Sequence, residues 1–474
     1  MSQSYHLAID LGATSGRSVL ATFDGKSVQM DELTRFHYPM LPIGGHLYWN
    51  LPLIYQEVLN ALRAAGTRLA AQGDTLASIG IDTWGVDVAY FYADGSLAGL
   101  PYCYRDTHTD GAVEQYGRHM SRKELYERTG IQFMNFNTLF QLDTLRRNGA
   151  SVLDAADKIL FIPDALVYML TGKAVTEFTI ASTSQMLNLA TGDFDEVLLQ
   201  NLGLSRDKFG AMVQPGSVIG TLTPEIQHAT GLGAVNVIAV AGHDTASAVI
   251  GIPAADEKYA YLSCGTWALF GVESPESNSG AKALEYNFTN EGGIDGTTRL
   301  LKNICGMWIF ERVREEMGLR DANIAELAAS CLDSDCESII NPDDSAFANP
   351  KSMVNAINDY CAASNQKKPE TSADYIRVIY RSLARRIGEM LGWLRELAPN
   401  DVERLHVIGG GSRNAHLMQM LADETRMPVI AGPAECTALG NILVQLRGCG
   451  CVDSIKGMRD IASQSVETKT FSPQ

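Results

Sequence analysis

The chain starts twice. Ser4 to Phe23 reads as an apolar strand, a turn of small residues and a second apolar strand. Half a chain later, Lys258 to Glu273 (KYAYLSCGTWALFGVE) reads the same way. Laying Asp10-Leu11-Gly12-Ala13-Thr14 on Ser263-Cys264-Gly265-Thr266-Trp267 brings the two turns into register. A duplicated βββαβ unit explains the repetition, and it predicts an α/β protein of two similar halves rather than one large core. At 474 residues the chain is also too long for a single ordinary domain.

The first turn carries chemistry of its own. Gly12, Ala13, Thr14, Ser15 and Gly16 are small enough for backbone N–H groups to approach an anion, and the Thr14 and Ser15 hydroxyls and Arg17 guanidinium could add phosphate contacts. Asp10, just before the turn, suits a hydrated Mg²⁺ bridging nucleotide phosphates. An ordinary edge hairpin with a charged tip would use the same residues. A second glycine site lies between a strand, Leu405 to Ile408, and a helix running to about Glu424: Gly409-Gly410-Gly411-Ser412-Arg413-Asn414. Three glycines let the backbone lie flat against a ligand with helix N–H groups behind it, though a tight turn needs no ligand. The spacing is not that of a dinucleotide-binding loop.

A second aspartate stands at another strand end. The β-branched run Val235 to Val240 stops at Ala241-Gly242, and His243-Asp244-Thr245 begins a helix. Aspartate is a common helix cap. The alternative is a carboxylate aimed out of a strand-to-helix turn, where it can accept a proton.

Between these points the pattern is legible in outline. Lys26 to Tyr38 reads as a third strand, Gly44 to Asn50 as a loop with exposed aromatics, and Leu53 to Leu69 as a helix. Ser78 to Tyr92 is a strand ending at Asp82-Thr83-Trp84-Gly85 before a further strand; Trp84-Gly85 is either a wall for a small polar ligand or a core tryptophan beside a turn. Asp106, His108 and Asp110 superficially resemble metal ligands, but acidic loops with a histidine are usually solvated. Asn290 to Gly293 reads as a turn, Lys302 to Trp308 as the entry to an amphipathic helix, and Ser372 to Leu397 as the longest helix.

A net charge of −17 argues against a nucleic-acid partner, which needs a basic surface. An anionic substrate must then be drawn in by backbone amides, a few cations and a divalent metal. No apolar run is long enough for a bilayer span. The N-terminal stretch shows no secretory pattern, and nine scattered cysteines do not resemble a disulfide framework. These features point to the cytoplasm.

The blocks DLGATSGR (Asp10 to Arg17), SIGIDTWGVD (Ser78 to Asp87), GLPYCYRD (Gly99 to Asp106), GIQFMNFNTL (Gly130 to Leu139), HDTASAVI (His243 to Ile250), YLSCGTW (Tyr261 to Trp267), TNEGG (Thr289 to Gly293), LKNICGMW (Leu301 to Trp308), IINP (Ile339 to Pro342) and GGGSRN (Gly409 to Asn414) together resemble the FGGY family of carbohydrate kinases over nearly the whole chain. The resemblance implies the actin-like ATPase (ribonuclease-H-like) fold, with two duplicated domains, 1–245 and 246–474, flanking a catalytic cleft; the expectation for residues 452–474 is that they pack back on the first. It implies ATP-dependent phosphorylation of L-rhamnulose at its 1-hydroxyl, with Mg²⁺ as cofactor; the sequence leaves the assembly open between monomer and dimer. Asp244 matches the family's proton acceptor. Gly85, His243, Thr245 and Asn303 match sugar-binding positions. Ala13, Thr14, Ser15, Gly16, Arg17, Thr266 and Gly410 match ATP-binding positions. At a further ATP-contacting position the family has glutamine where this chain has Glu311, a less welcome neighbour for a nucleotide, and arginine is common where His108 stands. Kinases for L-fuculose or D-xylulose, or an actin-like ATPase without a sugar substrate, are the alternatives.

Overall fold

The computed structural model describes residues 3–348 and 350–474. The chain forms two compact units: residues 1–253, 274–300 and 437–465 make the first, and residues 254–273, 301–436 and 466–474 the second. The sequence suggested one crossing near residue 245; here the chain crosses more than once.

The first unit is built on a six-stranded sheet, ordered Ser217–Thr221, Asn236–Ala239, Leu76–Thr83, Ser4–Leu11, Ser15–Phe23, Val28–His37. Ser4–Leu11 pairs antiparallel with Ser15–Phe23 and parallel with Leu76–Thr83, which pairs parallel with Asn236–Ala239. Central parallel strands are covered on both faces and therefore read as near-continuous apolar runs. Leu7, Ala8, Ile9 and Ile79 have no exposed surface. The helix Leu51–Ala70 covers one region of this sheet. Asn50 starts it by accepting the Leu53 N–H at 3.2 Å, Pro52 fits its first turn, and Ile54, Val58, Ala61, Leu62, Ala65 and Leu69 form its buried stripe. Each large side chain on that stripe contributes about 1.5–3 kcal/mol by leaving water.

The second unit repeats the wiring. Its sheet includes, in order, Thr298–Cys305, Trp267–Ser274, Tyr259–Cys264, Arg404–Ile408, Val429–Ala431 and Lys469–Phe471. Here Tyr259–Cys264 pairs antiparallel with Trp267–Ser274 and parallel with Arg404–Ile408, as the first strand does in the first unit. Even the last strand, antiparallel to its neighbour, has a counterpart at the same edge of the first sheet. The helix Ser372–Leu397 belongs to this unit and opens with a capping box between Thr371 and Asp374.

Four local expectations need correction. Gly44 to Asn50 is not a loop of exposed aromatics: Leu41–Ile43 and His46–Tyr48 form a hairpin, and Trp49 is fully buried because its indole N–H finds Asp87 at 2.6 Å. Thr289–Gly292 is a buried strand rather than a turn. Lys302 and Asn303 lie in the strand Thr298–Cys305, and the helix begins only at Trp308. Asp106 is not solvated: it is 5% exposed and accepts the Leu47 N–H at 2.6 Å, with the His46 and His108 rings at 3.0 and 2.7 Å. It ties its own loop to the hairpin strand His46–Tyr48.

Candidate active site

Three carboxylates gather at the C-terminal ends of adjacent parallel strands in the first unit. Asp10 is the register partner of Asp82. One residue on, Thr83 bridges to His243, and its N–H donates to the Gly242 carbonyl at 2.8 Å. Asp244 follows directly. The open end of a parallel sheet is where such folds place ligands.

The turn before Asp244 is fixed by Glu177. Its Oε2 accepts the Gly242 N–H at 2.9 Å, the Ile180 N–H at 3.0 Å and the Thr179 hydroxyl at 2.7 Å. A Cβ at Gly242 would lie 2.9 Å from that oxygen, so a larger residue would have to displace the Glu177 carboxylate. His243 is the extended residue before the helix Asp244–Ile250, so Asp244 is the first helical residue and not the cap. Its Oδ1 takes the Thr245 N–H at 2.6 Å, the Thr245 hydroxyl at 3.2 Å and lies 3.3 Å from His243 Nε2. Oδ2 has no protein partner among the described residues. The Asp244 side chain is 31% exposed. Burial raises its pKa above the ordinary carboxylate value, the His243 charge opposes this, and Asp10 adds to the rise.

Asp82 is the residue sequence reasoning passed over. It has no exposed surface; Oδ2 accepts the Asn441 amide at 2.6 Å, and Oδ1 is buried without a partner among the described residues. Burial pushes its pKa well up, with Asp10 reinforcing the effect. Behind it runs a buried polar chain. Asn441 Oδ1 accepts from Gln445 Nε2 at 2.7 Å, Gln445 Oε1 accepts from the Ser78 hydroxyl at 2.7 Å, and Ser78 meets His6 Nδ1 at 2.7 Å. Asn441 and Gln445 sit one turn apart on the helix Cys436–Gly448, close against the strand through Gly80.

Asp10 is paired with Arg17, whose Nη2 and Nε lie 2.6 and 2.9 Å from one carboxylate oxygen. Between them, Gly12 N–H donates to the Ser15 carbonyl at 3.0 Å, and the Tyr38 hydroxyl donates to the Gly12 carbonyl. Thr14 is exposed at the tip, and Gly16 is packed against Leu11 and Phe36. Gly85 lies in the same unit, its Cα against Thr183. Its neighbour Trp84 is buried, its ring centroid 4.2 Å from that of Trp49 with the planes tilted by 37°, and both indoles donate to Asp87, whose pKa burial raises to about 6. Trp84 is therefore part of an anchored aromatic cluster.

The other sequence-derived candidates belong to the second unit. Thr266 occupies the hairpin turn, where its carbonyl accepts the Trp308 N–H at 3.2 Å. Gly410 is exposed, with nothing within 4 Å of where a Cβ would stand. Gly409 holds φ +81, a left-handed conformation that favours glycine, and Gly411 packs on Cys264. Asn303 is half-buried in its strand. Glu311 pairs with Arg314 at 3.1 Å.

Among the described residues, no group of three or more His, Cys, Asp or Glu side chains is arranged to hold a metal ion. Asp106, His108 and Asp110 do not form one. The pair Asp10 and Asp82, with the buried Oδ1 of Asp82 unpartnered among the described residues, has the donor chemistry to hold a hydrated divalent cation. Among the described residues, no helix is long and apolar enough to cross a membrane.

Comparison with known proteins agrees with this architecture. Residues 5–251 match the model for the FGGY family of carbohydrate kinases, N-terminal domain, and residues 260–449 match that family's C-terminal domain. A rhamnulokinase from Bacteroides thetaiotaomicron is 50% identical over 100% of this chain and 96% of its own length. A rhamnulokinase from Pectobacterium atrosepticum is 40% identical over 99% of this chain and 93% of its own. Among solved structures, a gluconate kinase from Lactobacillus acidophilus superposes with a TM-score of 0.83 at 17% identity, covering 100% of this chain and 94% of that one. A xylulose kinase from the same organism gives a TM-score of 0.82 at 17% identity, covering 99% and 94%. At such identities these structures speak for the fold alone, whereas the two domain matches and the full-length relatives establish that the chain belongs to the FGGY family of carbohydrate kinases.

Proposed function

We propose that this kinase transfers the γ-phosphoryl group of ATP to the 1-hydroxyl of L-rhamnulose, with Asp244 as the general base. The names of the full-length relatives support the substrate. The observation that carries the base assignment is the asymmetry of the Asp244 carboxylate: Oδ1 is engaged by Thr245 and His243, while Oδ2 is without a partner among the described residues. A sugar alcohol is a poor nucleophile at neutral pH. As its oxygen bonds to the γ-phosphorus, Oδ2 takes the hydroxyl proton, the bond from phosphorus to the β,γ-bridging oxygen breaks, and ADP leaves. A raised pKa suits a base that must be ionised at the start yet hold a proton at the end.

For the phosphates we assign the turn Ala13, Thr14, Ser15, Gly16 and Arg17, whose amides and hydroxyls are the donors available. Arg17 now neutralises Asp10 and would have to divide itself between that carboxylate and phosphate. Asp10 and Asp82 would hold Mg²⁺ through its water shell. When bound, the ion supplies charge neutralisation on the transferring phosphate. Gly85, His243 and Thr245 are assigned to the sugar, as is Asn303 of the second unit; Thr266 and Gly410 of that unit are assigned to ATP. Glu311 would reach a nucleotide only by leaving Arg314. We place the reaction in the cytoplasm, where ATP is at hand.

The test is ADP release, coupled to an optical readout, with L-rhamnulose against L-fuculose and D-xylulose. L-rhamnulose should give the highest kcat/KM, and Asp244→Asn should lower kcat by about 10²- to 10⁴-fold while ADP binding persists. A ketose that outperforms L-rhamnulose would replace it as substrate. A near-normal rate in Asp244→Asn would remove the base.

A further inference from the structure

The far side of the His243 ring meets two charged residues that the mechanism above does not use. Glu291 and Arg299 are 4% and 1% exposed. Arg299 Nη2 lies 3.1 Å from Glu291 Oε2, and each of these atoms lies 3.2 Å from His243 Nδ1. Arg299 Nε donates to the Gly292 carbonyl at 2.9 Å, and the Gly292 N–H donates to the Ser182 hydroxyl at 2.7 Å. The guanidinium is thus held from two directions, and so is the strand that carries Glu291.

A neutral imidazole donates from one nitrogen and accepts at the other. Nε2 faces Oδ1 of Asp244, an acceptor, so a favourable contact needs the proton on Nε2. Nδ1 accepts from Arg299 Nη2, a pure donor, at 3.2 Å, so Nδ1 is the bare nitrogen and the ring proton falls on Nε2, 3.3 Å from Oδ1 of Asp244. Glu291 Oε2 balances the guanidinium at 3.1 Å. Burying two opposite charges commonly gives no gain in stability over an apolar pair, so folding alone gives no reason for this arrangement.

We infer that Glu291 and Arg299 are positioning residues for phosphoryl transfer: together they hold His243 with its Nε2–H on Oδ1 of Asp244, which leaves Oδ2 as the oxygen that takes the sugar proton. The inference rests on the reading of Asp244 as the base. Glu291 and Arg299 touch neither substrate and act only through the imidazole.

The experiment compares Glu291→Met/Arg299→Met, which removes both charges at once, with Glu291→Gln, Asp244→Asn and the unaltered protein. The His243 ring signals are identified in ¹⁵N-resolved NMR spectra by their loss in His243→Asn. In the unaltered protein Nε2 should carry the proton. In the double variant that protonated Nε2 signal should be lost or averaged by exchange, kcat should fall fivefold or more, and KM for ATP should stay within twofold. A smaller fall in kcat, or an Nε2–H signal that persists in the double variant, overturns the inference. Should the double variant fail to fold, Glu291→Gln is held to the same fivefold criterion. A near-normal rate in Asp244→Asn would instead strike the base assignment, whereas an inactive Asp244→Asn beside a fully active double variant would strike this inference alone.

Discussion

Acid should unfold this protein in part through His6, the inner end of the buried polar chain that finishes at Asp82. His6 has no exposed surface, with Nδ1 2.7 Å from the Ser78 hydroxyl and Nε2 2.9 Å from the Ser4 hydroxyl. Burial pushes its pKa from 6.5 down to about 4. Below pH 6.5 the unfolded chain binds a proton that the folded chain refuses, so stability falls as the pH falls. The loss levels off near pH 4, where the folded ring protonates too. At about 1.4 kcal/mol per unit, this one residue removes about 3 kcal/mol across that window, against a total stability of about 5–15 kcal/mol for a typical domain. The assay is urea unfolding, followed by circular dichroism, at steps from pH 7.5 to 4 for the unaltered protein and His6→Gln. Glutamine keeps a donor and an acceptor but does not titrate. Carboxylates contribute equally to both curves, so their difference isolates the imidazole. The variant should gain on the unaltered protein by about 3 kcal/mol over the window. Parallel curves would refute the reasoning, because they would mean that the folded ring accepts its proton as readily as the unfolded one.

Two further outcomes follow from the same unit. Asp82→Asn keeps an acceptor for Asn441, so the fold should persist, but the Mg²⁺ concentration giving half-maximal rate should rise several-fold; an unchanged magnesium titration would take Asp82 out of the metal site. Gly440→Ala would drive a methyl into the Ser247 carbonyl oxygen, which should cost about 1–3 kcal/mol and lower the thermal midpoint, while an unshifted midpoint would show that the helix can slide aside.

What the sequence disclosed and what it hid divide along one physical line, which is whether a feature depends on neighbours in the chain or on partners brought from far away. The hairpins around Gly12 and Gly265, the strand-to-helix step at Asp244 and the helix Ser372–Leu397 are set by local periodicity and small-residue turns, and each was legible. Asp82 was not. It stands in a stretch read for its tryptophan, and its importance comes from register, which sets it opposite Asp10, and from an amide on a helix at Asn441. Trp49 was misjudged for the same reason, since only Asp87 explains why that indole is buried. Asn290 to Gly293 looked like a turn because two glycines suggest one. Its residues instead pack as a strand, with Asn290 bonded to the Gly130 carbonyl at 2.9 Å, and this is what carries Glu291 to His243. A buried charged residue is hard to recognise in a sequence because its type argues for the surface; only the partner that neutralises it reveals the burial. The most informative residues of this site, Asp82, Glu291 and Arg299, are all of that kind, and hence the polar half of the site had to await the fold.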